Sequence, residues 1–511
     1  SIIPMGLPVT APPAKNYIDQ HVFARLTDLG IPPSQVCDDS TFIRRVTVDI
    51  AGRLPTSAEV TEFLASNAGN KRDVLIDRLL SSGDYVDLFA NKWISVLRNQ
   101  QTGQSGADVT KAFHKFVRDS MAANMPYDQF VRTILTASGD ARTVPAANWF
   151  AQVATPVTQA EDVAQLFLGL RIQCAHCHHH PFEKWTQDDY YGMTAFFTRT
   201  KRTQVKIGKN QNDQRRMTIA FDPGVAQSLN PRTKLNVKPT PLDGEPLELT
   251  NDQDPRAALV TWMTAPDNPF FARTLVNRYW KHFFGRGIVE PEDDMRVTNP
   301  PTNPALLDAL EANFKQGRFN LKALVKTICQ STAYQLDSVP NEFNAGDRQN
   351  YSRYFGRRLQ AEVLLDAIDQ VTNTQTKFNK LPEGTRAIQL PDNSFDTYFL
   401  TVFGKPKAAS ACECERSDDA NLAQALHLLN SPQVQAKLAA KDGRTQLLAA
   451  DTTRGHAERV TELYQSVFAR PPRENEMALV MQHLQRAETP QQGYEDLLWA
   501  LINTKEFLFN H

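Results

Sequence analysis

At 511 residues, with 41% hydrophobic and 22% charged side chains, the chain is long enough for two or three packed units of about 100–200 residues each. Its formal net charge of −1 excludes a nucleic acid or an anionic membrane held by bulk electrostatics. No apolar run approaches the roughly 20 residues that a membrane-spanning helix needs, and the most hydrophobic stretches, such as Leu497–Ile502, are short and flanked by charge. No signal peptide is visible, and the chain opens on Ser1 without a methionine, as a processed or a trimmed form would.

Helical periodicity dominates from the start, and a first helix is expected over 17–30. Thr56 and Glu59 have the spacing of a capping box, in which a hydroxyl and a carboxylate satisfy two orphan amides, and so open a helix over 57–67. Further helices are expected over 72–81, 84–99, 109–123 and 127–137. Thr158 and Glu161 repeat the capping signal. From there Val163, Phe167, Leu170, Cys174, Cys177 and His178 follow one helical face at offsets 0, 4, 7, 11, 14 and 15, which predicts a continuous helix with the thiols on its apolar side. Another helix is expected over 187–199.

Residues 201–250 break the pattern. Weak alternation (Val205, Ile207; Met217, Ile219, Phe221) with Pro-Gly and Asp-Gly turns predicts a small β-hairpin insertion. A second helical block starts at Asp254. Its expected helices are Asn268–Phe284, Pro304–Lys315, Leu321–Ser331, Leu359–Val371, Asn421–Leu429, Ala457–Phe468, Glu474–Arg486 and Tyr494–Phe507, with Gly285 as a C-terminal stop. Residues 373–418 carry little helical signal, and irregular stretches of that length are often functional. The expected architecture is a mainly α, two-lobed helical protein. Residues 1–200 form a first domain, 201–253 the β insertion and linker, and 254–511 a companion domain.

The densest chemistry lies at 174–180, Cys-Ala-His-Cys-His-His-His, which holds four of the eleven histidines. Cys174-x-x-Cys177-His178 has the attachment spacing of a covalent c-type haem: each thiol can add to one vinyl group, and the next histidine is carried under the ring to the iron. Two other readings compete. The run is a CxxCH without a ligand, or it binds zinc or another transition metal through Cys174, Cys177 and one or more of His176, His178, His179 and His180. Zinc wants four ligands, and Cys412 and Cys414 could complete the set from afar.

A six-coordinate haem needs a distal ligand. Phe271, Leu275, Arg278, Tyr279 and His282 share a helical face, so His282 is a candidate for the iron and Arg278 for a propionate, with His180 and Met193 as rivals. The remaining cysteines, Cys37, Cys329, Cys412 and Cys414, permit two bridges without requiring any. Cys412-Glu-Cys414 is equally open as a disulfide, a metal pair, a partner for Cys37 or Cys329, or free structural thiols. Asp188-Asp189 and Asp293-Asp294 read as helix caps or turn residues.

Several longer motifs carry a resemblance. They are Phe42-Ile-Arg-Arg-Val-Thr-Val-Asp49 with Gly52-Arg-Leu-Pro-Thr56, Gln173 through Phe182, Lys184 through Tyr191, Asn277 through Gly287, Asn299 through Pro304, and Ala425 through Asn430. From about Tyr17 to His511 the chain resembles exported bacterial proteins called planctomycete cytochrome C-like, or cytochrome-associated, proteins. The resemblance implies a periplasmic or extracellular location, two helical domains and a cytochrome-like CxxCH. The block around Asn277, Arg278, His282 and Gly285 matches a signature of the companion domain, which adds weight to His282. The chain departs from long relatives in showing no extra cytochrome or carbohydrate-binding-like module. The expectation is therefore an exported protein with one covalent haem c in a helix-lined pocket between the lobes, held by Cys174, Cys177, His178 and His282. It would exchange electrons with an unidentified partner protein. Two alternatives stand beside it: a haem-dependent oxidoreductase acting on an extracellular substrate such as a carbohydrate, in a cleft walled by 373–418, and a cell-envelope scaffold with a structural metal.

Overall fold

The helix over residues 39–51 organises the chain. In the computed structural model, which describes residues 9–101, 106–206, 215–395, 397–416 and 422–511, Asp39–Ala51 is buried along ten consecutive positions, Phe42 to Ala51. Its side chain-accepting cap is Asp38, and Gly52 ends it in the left-handed region at φ 58°. Sequence periodicity does not reveal this helix, because an element buried on all sides has no polar face to set the period.

Two arginines of that helix reach polar groups nearly the whole chain away. Arg44, 1% exposed, donates to the carbonyls of Val467 (2.8 Å), Glu506 (3.0 Å) and Phe507 (2.8 Å). Arg45 donates to the carbonyls of Tyr334 (2.5 Å), Leu336 (2.8 Å) and His511 (3.1 Å), with its guanidinium 3.8 Å from the ring centroid of Tyr354. One contiguous apolar core runs from Ile18 to Phe507, so side chains from both halves pack in the same interior.

The architecture is mainly α, with a few short antiparallel ladders. Thr200–Lys206 and Arg215–Phe221 form the hairpin, pairing Thr200 with Phe221 through Lys206 with Arg215, and Gly139–Asp140 adds a third strand beside Arg215–Phe221. The expected alternation at Ile207 lies outside the described residues. Arg357–Arg358 pairs with Phe509–Asn510 and fastens the chain's last strand against the segment before helix Ala361–Thr372.

Local signals place several ends well. Thr56 and Glu59 make the capping box of helix Ser57–Ala65, and Gly285 stops helix Phe271–Phe284 at φ 74°. Other expectations are corrected. The helix expected to open at Thr158 begins a turn earlier: Thr155 is the cap, Pro156 the first helical residue and Thr158 the reciprocal partner. Expected helix Tyr494–Phe507 is two, Pro490–Ile502 and Lys505–Leu508, parted where Thr504 caps the second.

The largest correction concerns the cysteine motif. Helix Pro156–Leu168 ends at Gly169, φ 66°, whose amide donates to the carbonyl of Ala164. A side chain at Gly169 would meet Met295 Cγ and Thr274 Oγ1 at 2.7 Å, so the stop is enforced by close packing as well as by backbone conformation. Leu170 continues the apolar spacing past the stop, but Cys174, Cys177 and His178 do not lie on that helix.

Candidate functional site

Beyond Gly169 the chain forms a separate short turn, the 3-10 helix Gln173–His176. The amides of Cys177 and His178 both point to the carbonyl of Cys174, each at 3.4 Å. Side chains three apart on a 3-10 turn eclipse one another, so Cys174 and Cys177 leave the turn on the same side. Buried Ala175 anchors it from below. The carbonyl of His176 accepts from Gln187 Nε2 (3.3 Å) and the Tyr191 hydroxyl (3.2 Å), and the His176 ring stacks on Tyr190 with centroids 5.0 Å apart.

Cys174 and Cys177 are free and exposed, whereas Cys37 and Cys329 are free and buried. His178 is exposed, and its Nδ1 lies 2.7 Å from the carbonyl of His179. A carbonyl only accepts, so Nδ1 carries the proton and Nε2 keeps the lone pair that a metal takes. These three groups fit the donor set of a covalent haem: two uncommitted thiols on one side of a turn and an adjacent imidazole with Nε2 open. Their setting differs from the expectation. The motif stands on the surface, where Phe182 is 66% exposed, rather than against the apolar wall that a continuous helix would have supplied.

His282 and Arg278 lie elsewhere. His282 Nε2 lies 2.8 Å from the carbonyl of Asp49 and therefore donates to it. Burial, with the charges of Lys92, Arg357 and Arg416 nearby, holds its imidazole well below the usual histidine range, so the ring is neutral. Arg278 is buried, pairs with Glu413 at 3.2 Å and donates to the carbonyl of Leu166 at 3.4 Å. His282 lines a cavity of about 160 Å³ together with Lys92, Lys281, Arg357, Gln360, Glu413 and Arg416, among others. None of Cys174, Cys177 or His178 belongs to that lining. The structure thus keeps Cys174, Cys177 and His178 on one turn and places His282 in the wall of a second site, with Arg278 behind it against Glu413.

That second site draws on residues that no local pattern connects. Lys92 comes from helix Gly83–Val96, His282 from helix Phe271–Phe284, and Glu413 and Arg416 from the irregular segment over 373–418. Only the unusual length of that last segment marks it in the sequence. Cys412, also in the wall, is disulfide-bonded, which decides the question its spacing left open, while the side chain of Cys414 lies outside the described residues. Among the described residues no group of three or more His, Cys, Asp or Glu side chains is arranged to hold a metal ion, so the four-ligand zinc set is not assembled there. No helix among them is long and apolar enough to cross a membrane.

Residues 17–202 match the family model PSCyt2, described as a protein of unknown function (DUF1549), and residues 255–484 match PSD1, a protein of unknown function (DUF1553). The two in this order on one chain are a paired arrangement typical of planctomycete-type proteins. Neither description names a cofactor. No curated protein and no solved structure matches the chain.

Proposed function

We propose that the chain is an exported electron-transfer protein whose redox group is one covalent c-type haem on the turn at 173–178. The observation that carries this reading is the pair of free thiols on one side of a 3-10 turn, followed at once by an imidazole whose Nε2 is open. Cys174 and Cys177 would hold the group through thioether links, each thiol adding across one vinyl double bond without an oxidant. His178 would offer Nε2 to the iron, and its hydrogen bond to the His179 carbonyl fixes the ring's tautomer and direction. When bound, the group supplies reversible one-electron chemistry.

The surface position of the turn suits exchange with a partner protein, because an electron donor or acceptor can approach it without the chain opening. Location in an oxidising compartment is supported by the disulfide at Cys412. Of the two histidines, His178 would be the one to hold the iron, since His282 Nε2 is committed to Asp49.

The test is intact-mass spectrometry on the chain exported by a bacterium that makes c-type cytochromes. One haem added, located by digestion to the peptide with Cys174 and Cys177, supports the proposal. A chain of unmodified mass with both thiols alkylatable overturns it.

A further inference from the structure

Another cavity, of about 410 Å³, is walled by helices Ala361–Thr372 and Pro432–Leu438, and the haem reading makes no use of it. Its volume falls within the roughly 300–1,000 Å³ of pockets that take small organic ligands. The irregular stretch over 373–418 supplies the rest of the wall, through residues 374–377 and the start of helix Tyr398–Val402.

Its floor is apolar, since Leu365, Ile368, Phe399 and Val434 all line it and are all buried. Its two lysines each hold a carboxylate. Lys437 pairs with Asp369 and donates to the Thr376 hydroxyl at 3.1 Å, while Asp369 also accepts from the Thr376 amide at 2.7 Å. Lys377 pairs with Glu383 at 3.0 Å. A neutral occupant therefore suits the cavity better than an ion, which would leave water for an apolar floor and cations already paired. Two hydroxyls in the wall remain able to donate to it. The Thr376 oxygen accepts from Lys437, and the Thr397 oxygen accepts from the Leu400 amide at 3.2 Å as the cap of its helix. A hydroxyl that has accepted a bond keeps its hydrogen to give. Carbonyl oxygens on an apolar ring complement donors above an apolar floor. A sugar would bury its own hydroxyls against that floor, and a fatty acid its charge.

Helix Leu422–Asn430 packs against both helices that carry Phe399 and Val434, and its His427 ring lies 5.5 Å from that of Phe399. It keeps Leu428 in the core, yet Leu422, Leu426 and Leu429 are exposed at i, i+4 and i+7, an apolar stripe beside the cavity. Exposed Tyr398 stands next to it, 5.2 Å from the His427 ring. We propose that the cavity binds a quinone, its ring on Phe399 and Val434, its carbonyls accepting from Thr376 and Thr397, and its apolar tail along the leucine stripe. The inference is independent of the haem: the binding includes no redox step and holds in a chain that carries no haem.

The experiment is equilibrium dialysis of the full-length protein with duroquinone and with decyl-tailed decylubiquinone. Both rings are fully substituted, so neither adds to the exposed thiols of Cys174 and Cys177. Both should bind saturably, the tailed one more tightly. Durene, which has the shape of duroquinone without its carbonyls, should bind at least about tenfold more weakly, and decanoate and glucose should not bind. Thr376→Val should weaken both quinones about tenfold while Thr376→Ser retains them, and Leu426→Ser should remove the tail's advantage while leaving duroquinone unchanged. Ala436→Trp, at an exposed position of the wall that tolerates a large side chain without repacking the core, should abolish binding. Absence of saturable quinone binding, durene or decanoate bound as tightly as duroquinone, or quinone binding undiminished in Ala436→Trp would each overturn the proposal.

Discussion

The imidazole of His282 donates to the main-chain oxygen of Asp49 at 2.8 Å, across 233 positions of sequence. One partner lies in the stretch that matches the first family model and the other in the stretch that matches the second. The same aspartate's side chain accepts from Tyr334 (2.8 Å), Tyr354 (3.2 Å) and Asn510 (2.7 Å) and pairs with Arg357. The two stretches are therefore joined through a buried polar network centred on one helix.

The neutral state of His282 has a consequence for stability. His282 is held well below the ordinary value of 6.5, and buried His114 is lowered to about 4 by burial and by Arg118. Both pKa values are depressed in the folded state, so the unfolded chain takes up protons that the folded chain refuses as pH falls below 6.5. Stability contributed by each is fully present above 6.5 and is lost at up to about 1.4 kcal/mol per pH unit below it. Urea denaturation from pH 7.5 to 4.5 should show that decline, and His282→Gln should flatten it.

Removing the charge at the centre of the network should be severe. Asp49→Ala takes a buried carboxylate away from Arg357 and strips acceptors from Tyr334, Tyr354 and Asn510. The expected cost is about 3–5 kcal/mol, the range for breaking a buried pair. Because the core is continuous, chemical denaturation of the unaltered chain should give one transition by both tryptophan fluorescence and circular dichroism, and the variant should shift it as a whole.

Gly169 sets where the cysteine turn begins. Gly169→Ala puts a side chain in the left-handed region and within 2.7 Å of Met295 and Thr274. Strain of this kind costs about 1–3 kcal/mol. Thermal unfolding should show that loss, whereas alanine at Gly83, where a side chain meets open space, should change stability by less than about 1 kcal/mol.

The four cysteines that are free among the described residues should divide by burial. In protein produced without haem, Cys174 and Cys177 should react rapidly with a thiol reagent, while Cys37 and Cys329 react only on unfolding. Burial also pushes the Cys329 thiol well above its ordinary value, which slows it further. Timed alkylation followed by peptide mass analysis checks both halves of the expectation.

The parts of the fold legible in the sequence are those governed by near neighbours. Thr56 with Glu59 and Gly285 after Phe284 act within a few residues, and so does the hairpin's alternation. Gly169 shows where that reading fails. Phe167 and Leu170 keep the apolar helical spacing on either side of it, and Cys174 continues that spacing, so periodicity alone carries the helix through a glycine that Met295 and Thr274, distant in sequence, make obligatory. Helix Asp39–Ala51 escaped for the opposite reason: buried Arg44 and Arg45 are charged, yet their partners at Val467, Tyr334 and Phe507 can be known only once the chain is folded. The turn's Cys174, Cys177 and His178 stand out in the sequence because they lie within five residues of one another. Lys92, Arg357, Glu413 and Arg416 were not, since a cavity assembled from distant segments leaves no local spacing to detect.

The central claim is the bond between this turn and a haem, and a pyridine haemochrome spectrum taken after acid–acetone extraction tests it most directly. The expected result is a protein that stays red, with its α band intact in the unaltered chain and shifted by loss of one thioether in Cys174→Ala. A colourless precipitate, with all pigment in the acetone or none at all, would contradict it.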